Sequence, residues 1–302
     1  ILVTGGHGFI GSNFIKKFIG EPEIKQIVNI DCPSKLVAAA DVSNVIEFEN
    51  NPKYAFYDIW LETIQQPLIQ SKFNQILANH EITHIIHFAA ETHVDNSIAD
   101  GNLFIKTNIE GTYNLIEIAR KIPTLKKFIQ ISTDEVYGDV LYGTSKDTDN
   151  LNPSSYYSAS KAAADMLVMS AGRTYGLPYL ITRTCNNFGD GQHPEKFLAK
   201  IAKCIKNNEP IPIYGNGEQV REWIWVEDNV NEIWRLICED KEGIVNIGSR
   251  DRWQNKEIVQ LIGEVLNKKV NYKFVDDRLG HDKRYALSSN NKVTLNIKDY
   301  LE

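Results

Sequence analysis

Short runs of β-branched and aromatic residues alternate with amphipathic stretches along the first 180 residues of the chain. Residues Phe14, Ile15 and Phe18 show the three- and four-residue spacing of a helix face. Strands are predicted for the opening "ILVT" and for residues 26–31, 54–59, 83–90, 128–133 and 178–184, and the clearest helices for 104–121 and 157–175. Strands that alternate with helices predict a parallel sheet with helices on both faces, which is a doubly wound α/β fold.

After residue 185 this alternation becomes less regular. Residues 210–228 contain several Gly, Pro and aromatic residues and predict a hairpin with loops, whereas 255–270 has helical spacing. We therefore predict one domain over 1–185 and a smaller substrate-binding lobe over 186–302, with segments of that lobe returning to the first domain.

The composition limits the classes of protein to which the chain can belong. With 302 residues, 42% of them hydrophobic, the chain can bury a large core, and its net charge of −6 argues against a nucleic-acid partner held by bulk electrostatics. The longest apolar runs are too short to span a membrane. Its four cysteines are far apart, so we expect free thiols, no metal site and a reducing compartment such as the cytoplasm.

A glycine-rich turn follows the first predicted strand. Gly6, Gly8 and Gly11 have the G-x-G-x-x-G spacing, Gly5 precedes them, and Asp31 ends the second strand twenty residues after Gly11. Glycines here permit a pyrophosphate to approach the helix N-terminus, and the acid can bind the adenosine ribose hydroxyls. The pattern predicts a Rossmann-type domain that prefers NAD to NADP. The alternative is a structural glycine turn in another kind of α/β protein.

The segment "YYSASK" places Tyr157 and Lys161 four residues apart. On a helix they share a face, and a lysine ammonium is expected to lower the pKa of a nearby phenol. Such a tyrosine can take a proton from an alcohol. The alternative is an ordinary surface pair.

The segment "ISTDEVYG" ends a predicted buried strand with Thr133, Asp134 and Glu135. Two adjacent carboxyl groups in a dry cleft do not both ionise easily, so one of them is expected to hold a proton. The residues leave open which one does. The alternative is a helix N-cap, since Thr or Asp followed by Glu is a capping pattern.

Longer stretches carry a specific resemblance. They are "TGGHGFIGSNF", "FAAETHVDNSI", "KTNIEGTYNL", "ISTDEVYGD", "PSSYYSASKAAAD", "NNFGDGQHPEKF", "PIYGNGEQVREWIWVED" and "DDRLGHDKRYAL". Together they resemble the nucleotide-sugar 4,6-dehydratases, a family of extended short-chain dehydrogenase/reductases, from the first residue to about residue 287. The resemblance implies a lyase that uses NAD and acts on dTDP-glucose.

The family reaction oxidises C4 of the hexose, eliminates water across C5–C6 and returns the hydride to C6. By resemblance, Tyr157 is the base for the C4 oxidation, Thr133 binds the C4 oxygen, and Lys161 holds the nicotinamide ribose. Glu135 is then the base for the C5 proton, and Asp134 is the acid for the departing C6 hydroxyl.

The resemblance also implies the binding residues. The cofactor contacts, beyond the glycines, are Phe9, Ile10, Asp31, Asp58, Ile59, Ala89, Ala90, Thr107, Tyr157, Lys161 and Asn187. The sugar-nucleotide contacts are Thr92, Thr133, Asn186, Lys196, Phe197, Pro212, Tyr214, Arg221, Asn255, Arg278 and His281. Arg221 and Arg278 suit a diphosphate, because guanidinium binds phosphate with paired hydrogen bonds.

Some positions depart from the family pattern. His7 replaces a usual Ala in the glycine turn and is expected to face solvent, and Asn96, Asn229 and Leu279 replace Arg, His and Pro. These departures leave the nucleotide base open, so UDP-glucose is an alternative substrate. A sugar-nucleotide epimerase or decarboxylase is a further alternative, but an epimerase has no use for the Asp134–Glu135 pair. A silent NAD-binding regulator would tend to lack the tyrosine, the lysine or the strand-end hydroxyl.

The family forms homodimers through a four-helix bundle. Helices 104–121 and 157–175 would supply it, and their candidate interface residues are Leu103, Phe104, Ile109, Leu115, Ile116, Met166, Leu167 and Met169. The alternative is that these side chains only pack on their own sheet.

Overall fold

The computed structural model describes residues 1–33, 41–291, 293 and 297 of the chain. Its strands are Leu2–Thr4 (β1), Ile27–Asp31 (β2), Tyr54–Asp58 (β3), His84–His87 (β4), Lys127–Thr133 (β5), Tyr179–Thr184 (β6), Asn186–Phe188 (β7), Ile211–Tyr214 (β8), Val220–Trp225 (β9), Gly243–Ile247 (β10), Arg252–Gln254 (β11) and Tyr272–Val275 (β12). Its α-helices are Phe9–Phe18 (α1), Pro67–Asn79 (α2), Val94–Ala99 (α3), Asn102–Phe104 (α4), Gly111–Ala119 (α5), Tyr156–Tyr175 (α6), Phe197–Asn207 (α7), Val226–Cys238 (α8) and Asn255–Val265 (α9). A π-helix, Ile105–Glu110, joins α4 to α5, and the 3₁₀ helices are Val42–Phe48, Leu61–Thr63 and Asp134–Tyr137.

Seven strands form one parallel sheet in the order β10–β6–β5–β4–β1–β2–β3. The six strands predicted from the hydrophobic runs are all present, and the doubly wound α/β fold is confirmed. The strand order reverses between β1 and β4, so the loops that follow these two strands diverge. Open sheets of this kind bind ligands in the crevice at the carboxyl ends of such strands.

Successive strand residues supply the two faces of the sheet. Val3, Ile86 and Ile129 pack with helices α1 and α8, whereas Leu2 and Ile85 pack with α2, α5 and α6. This follows from the two-residue period of a strand, which points neighbouring side chains in opposite directions. Both faces are covered, and the strand ends are therefore held in a rigid layer.

The prediction of a hairpin over residues 210–228 is wrong. Strand β8 pairs with β12, whereas β9 lies between β7 and β11 in a separate three-stranded sheet. Gly215 and Gly217 turn the chain between β8 and β9 with positive φ angles, but each strand takes its partner from a distant part of the sequence. Strand β10 comes from the C-terminal part of the chain and completes the edge of the large sheet beside β6. The division at residues 185 and 186 stays a prediction.

Two expectations that came from the composition can be compared with the structure. Cys32, Cys185, Cys204 and Cys238 are all free thiols. Among the described residues, no helix combines the length and the apolar character that crossing a bilayer requires.

Candidate active-site cleft

A cleft opens at the carboxyl ends of β1, β4, β5 and β6, where the strand order reverses. The predicted site residues that line it are Gly5, Gly8, Phe9, Ile10, Gly11, Ala90, Thr92, Thr133, Asp134, Glu135, Tyr157, Lys161, Asn186, Asn187, Lys196 and Phe197. The predicted residues outside its lining are Asp31, Asp58, Ile59, Ala89, Thr107, Pro212, Tyr214, Arg221, Asn255, Arg278 and His281. The fold thus brings the glycine turn, the paired acids and the Tyr157–Lys161 pair to one place.

The glycine turn is packed too tightly for larger residues. A Cβ atom on Gly11 would lie 2.3 Å from the carbonyl oxygen of Gly5, and one on Gly5 would lie 2.5 Å from the backbone nitrogen of Ala89. Gly8 is the N-cap of α1 and provides no side-chain cap. The first amide groups of α1 therefore face the cleft without a side-chain acceptor, which is the arrangement that binds a phosphate.

A buried polar network surrounds Asp31, the residue predicted to bind the adenosine ribose of the cofactor. Asp31 accepts hydrogen bonds from the backbone nitrogens of His7 and Cys32, both at 2.8 Å. The expectation that His7 faces solvent is wrong, since its side chain is 4% exposed, packs edge-on against Phe56 and lies 3.4 Å from an Asp31 carboxylate oxygen. Asn29 also contacts the His7 ring at 3.3 Å. Carboxylate oxygens accept more than one hydrogen bond, so Asp31 retains acceptor capacity for ribose hydroxyls.

Thr133 caps the 3₁₀ helix that follows β5. Its hydroxyl accepts from the backbone nitrogen of Glu135 at 3.2 Å and donates to Asp134 Oδ1 at 3.2 Å. The capping interpretation of this sequence is therefore correct, but it does not exclude a chemical role. The cap directs both acids into the cleft lining at the end of a fully buried strand.

The two acids have different electrostatic surroundings. Burial raises the pKa of Asp134 well above its ordinary value, and the charges of Glu135 and Glu222 add to the rise, while Arg221 and a hydrogen bond from Thr133 oppose it. Asp134 Oδ2 makes no hydrogen bond to any residue that the structure describes. Burial also raises the pKa of Glu135, but the cations Arg221, Arg278 and Lys196 oppose that rise. Because the cations favour the ionised form of Glu135, Asp134 is the acid that holds the proton.

The expected lowering of the Tyr157 pKa does not occur in this structure. Burial raises the pKa of Tyr157 and the Glu135 carboxylate adds to the rise, while a hydrogen bond with Thr133 acts in the opposite direction. The Lys161 ammonium donates instead to the backbone carbonyl of Ile131 at 2.7 Å. Burial lowers the pKa of Lys161 to about 8, so it is still mainly charged at neutral pH.

The predicted cations of the sugar-nucleotide site come from the C-terminal part of the chain, and Lys196 lines the cleft whereas Arg221 and Arg278 lie outside its lining. Arg221 is buried, donates to the carbonyl of Asp282 at 3.0 Å and stacks over the Tyr285 ring. Lys196 donates to the carbonyl of Thr92 at 2.9 Å, and Arg278 contacts Asp95 at 3.4 Å. All three predicted cations act on the pKa of Glu135, which places them within electrostatic reach of the paired acids.

Comparison with known proteins identifies the family. A sequence model of the family described as GDP-mannose 4,6 dehydratase matches residues 2–300. The chain belongs to this family. The predicted resemblance to nucleotide-sugar 4,6-dehydratases is thereby confirmed, and it extends beyond the boundary near residue 287 that the motifs indicate.

Relatives within the dehydratase family cover most of the chain. The low-salt glycan biosynthesis protein Agl12 of Haloferax volcanii is 40% identical over 291 residues, which are 96% of this chain and 90% of that protein. The dTDP-glucose 4,6-dehydratase of Haemophilus influenzae is 40% identical over 310 residues, with 95% and 89% covered. The crystal structure of DesIV, a dTDP-glucose 4,6-dehydratase from Streptomyces venezuelae with NAD bound, has a TM-score of 0.88 and 33% identity, and covers 95% of this chain and 88% of that one.

Several residues that were not predicted from the sequence as site residues also line the cleft. They are Phe88, Ile131, Ser132, Thr184, Cys185, Gln192, His193 and Trp223. Trp223 Nε1 and Asn187 Oδ1 are buried and make no hydrogen bond to any residue that the structure describes. Ser132 lies within the strand-end motif "ISTDEVYG", so the sequence does contain a signal that predicts its place in the cleft. Trp223 comes from β9, and only the tertiary fold brings it to the cleft.

Proposed function

We propose that this chain is an NAD-dependent nucleotide-sugar 4,6-dehydratase that converts dTDP-glucose to dTDP-4-keto-6-deoxyglucose and water. The observation that carries the proposal is the pair of adjacent buried acids, Asp134 and Glu135, in the same cleft as Tyr157 and Lys161. Elimination of water needs one group that takes a proton and one that gives a proton. Family membership and the dTDP-glucose 4,6-dehydratases among its relatives point to the same reaction.

The residues present fit NAD. The glycine turn leaves no room for a Cβ at Gly11, the N-terminus of α1 has no side-chain cap, and Asn187 Oδ1 is a buried acceptor without a partner in the cleft lining. When bound, NAD supplies the hydride acceptor for C4 and the hydride donor for C6.

Asp31 would hold the adenosine ribose and repel a 2′-phosphate, so calorimetry should show NADP binding at least several-fold more weakly than NAD.

Tyr157 and Thr133 would act on the C4 hydroxyl. Thr133 hydrogen-bonds the C4 oxygen, and Tyr157 takes its proton. To act as that base, Tyr157 must first lose its own proton; burial opposes this loss, and the Lys161 ammonium, one helical turn away, would supply the positive charge that favours the phenolate.

Glu135 and Asp134 would carry out the elimination. A ketone at C4 acidifies the C5 proton, and Glu135 removes it because Arg221, Arg278 and Lys196 favour its carboxylate form. Asp134 gives its proton to the departing C6 hydroxyl, which leaves as water. The order of the proton affinities matches these two roles. When C6 is reduced, Glu135 would return its proton to C5, and the proton that Tyr157 took from the C4 hydroxyl balances the one that left Asp134.

The test of this function is the product. The chain is incubated with NAD and either dTDP-glucose or UDP-glucose, and the 4-keto-6-deoxy product is detected by its strong absorbance in alkali. Absorbance with dTDP-glucose is expected, and a stronger signal with UDP-glucose would instead assign the alternative substrate. A C4 epimer with no alkali absorbance would identify a sugar-nucleotide epimerase, and no conversion of either nucleotide would contradict the proposal.

The assembly is proposed to be a homodimer formed by a four-helix bundle of α5 and α6. A large part of the side-chain surface is exposed at Ile105, Tyr113 and Met166. The helices that carry these residues contact one another. Phe104, Leu115 and Ile116 are buried within their own chain, so they are not available for an interface. The free thiols fit the further proposal that the enzyme acts in the cytoplasm.

A further inference from the structure

Segment 92–95, which follows β4, contacts three of the residues proposed to bind the sugar nucleotide. The Thr92 carbonyl accepts from Lys196 at 2.9 Å. The Asp95 carboxylate accepts from the Tyr214 hydroxyl through Oδ2 at 3.2 Å and from Arg278 Nη1 through Oδ1 at 3.4 Å. Asp95 thus joins the nucleotide-binding half of the molecule to the C-terminal lobe at the edge of the cleft.

Asp95 uses only part of the hydrogen-bonding capacity of Arg278. Its contact is a single bond at 3.4 Å, whereas a guanidinium binds phosphate or carboxylate with two parallel bonds of about 2.7–2.9 Å. Arg278 Nε is buried and makes no hydrogen bond within the part of the chain that the structure describes. A diphosphate oxygen could therefore satisfy a donor that Asp95 leaves unpaired.

The charge of Asp95 acts on the groups around this position. Burial raises the pKa of Tyr214, and the Asp95 carboxylate adds to the rise. Burial lowers the pKa of Lys196 and Arg278 adds to the fall, while Glu135 and Asp95 oppose it. Asp95, Lys196, Tyr214 and Arg278 therefore form one electrostatic cluster.

We propose that Asp95 is an internal competitor for the diphosphate of the sugar nucleotide and sets the affinity of this site. Its two carboxylate oxygens occupy the phenol and the guanidinium that the diphosphate would take, and they keep both groups aligned before substrate binds. Substrate binding then releases Asp95 to water, which is accessible because the Asp95 side chain is 39% exposed. The inference rests on the proposed function, since it assumes that a nucleoside diphosphate binds here.

The competition is expected to be modest. Partly exposed ion pairs stabilise a protein by at most about 1 kcal/mol, which corresponds to about two- to fivefold in a binding constant. A pair of this strength can hold Arg278 and Tyr214 in place and still give way to a diphosphate, which carries more charge.

The test is the affinity of Asp95→Asn for dTDP and for UDP, measured by calorimetry. Asparagine keeps the shape and removes the charge, so the Kd of the nucleotide should fall about two- to fivefold. A Kd equal to or above that of the wild type overturns the inference. Failure of the wild-type chain to bind either nucleotide overturns the proposed function and this inference together, whereas wild-type binding with no gain in the variant overturns this inference alone.

Two controls separate competition from general repulsion. Glu218→Gln removes one negative charge from the C-terminal part of the chain, where Glu218 pairs with Lys256, and should leave the Kd unchanged. In an Arg278→Gln background, Asp95→Asn should tighten binding much less than it does in the wild type. The same gain in that background, or an equal gain from Glu218→Gln, would mean that Asp95 acts only through its charge at a distance.

Discussion

Adjacent carboxyl groups behave differently here because of the groups that surround each one. The pKa of Asp134 is raised by two acidic neighbours and lowered by one cation, Arg221, whereas that of Glu135 is lowered by three cations and raised by one acid, Asp282. One residue of sequence separation is therefore enough to place them in different electrostatic surroundings. The difference between an acid and a base is therefore a property of position and not of residue type.

Replacing Asp134 by asparagine should weaken catalysis and strengthen the fold. Loss of a general acid should lower turnover by about a hundredfold or more. The pKa of Asp134 is raised in the folded state, so at pH 8 folding carries a cost that a neutral amide avoids, and unfolding in urea should show a gain of at least about 1 kcal/mol. At pH 4 the unfolded carboxyl is itself about half protonated, so the gain should shrink.

Asp165→Asn is the matched control for stability. Asp165 is also buried, but it pairs with Arg183 at 2.9 Å, and removing its charge would leave the buried guanidinium without this counter-charge. We expect a loss of about 3–5 kcal/mol. A loss of stability in Asp134→Asn similar to that of Asp165→Asn would show that Asp134 is a structural acid.

Replacing Glu135 by glutamine should stop the reaction after the first step. Tyr157 can still take the C4 proton, but the C5 proton has no base, so the absorbance of reduced nicotinamide should accumulate on the enzyme and persist. Tyr157→Phe should show no such absorbance, because the C4 proton is not removed. Normal turnover by Glu135→Gln would assign the C5 proton to another residue.

For single residues, the sequence predicted which side chains come together in the cleft but not which of them carry a proton. The acids, the tyrosine and the lysine were predictable because each lies in a short motif. Their proton affinities were not, since these depend on burial and on Arg221 and Arg278, which lie far away in sequence. His7 was misjudged for the same reason, because the wall that buries it includes Phe56 of β3.

Among the elements, the turn between β1 and α1 is the most sterically constrained part of the cofactor site. Gly11→Ala should place its methyl group 2.3 Å from the carbonyl oxygen of Gly5, a backbone atom that cannot move away freely. We expect a loss of about 1–3 kcal/mol in unfolding free energy and a marked loss of NAD affinity. Gly20→Ala, at a position with no atom within 4 Å, should change neither quantity appreciably. Equal NAD affinity in the two variants would show that the turn does not contact the cofactor.

Strand β4 is joined to its neighbours by a buried histidine. His87 lies between the hydroxyls of Thr4 on β1, at 2.6 Å, and Thr112 on α5, at 3.0 Å. Burial lowers the pKa of His87 to about 3, so its neutral form is the one that the fold accommodates.

Acid should therefore destabilise the sheet through His87. The stabilising effect of the neutral imidazole is complete above the ordinary pKa of 6.5 and is lost as the pH falls through 3, a total on the order of 5 kcal/mol. His87→Gln should flatten the fall in urea-unfolding free energy between pH 6.5 and 3. His84→Gln should flatten it only between pH 6.5 and 4, because burial lowers the pKa of His84 to about 4. An unchanged slope in His87→Gln would show that other groups control acid sensitivity.

Periodicity predicted six strands of the large sheet because each is rich in β-branched or aromatic residues, and most of them are buried on both faces. It failed for β8 and β9, whose pairing is decided by contacts with β12, β7 and β11 rather than by the Gly-rich connection between them. Short strands with distant partners carry no local signal of their register.

For the whole molecule, the proposed dimer makes a direct prediction. Met166 on α6 is 57% exposed, and a glutamate there would put a charge into the centre of the proposed bundle. Met166→Glu should convert a dimer into a monomer by light scattering at micromolar concentration. Leu68→Glu on α2, at a position that is 85% exposed, should leave the mass unchanged. A monomeric wild-type chain would contradict the proposed assembly.

The position of β10 at the edge of the large sheet has a consequence during biosynthesis. Strand β6 ends about 60 residues before β10 ends, and a ribosome adds roughly 5–20 residues per second. The nascent chain therefore carries β6 without its outer neighbour for roughly 3–12 seconds. An unpaired edge strand is a template for pairing with other chains. Newly made copies on one messenger RNA are close together in this interval, so slower translation after residue 184 should raise the demand for chaperones.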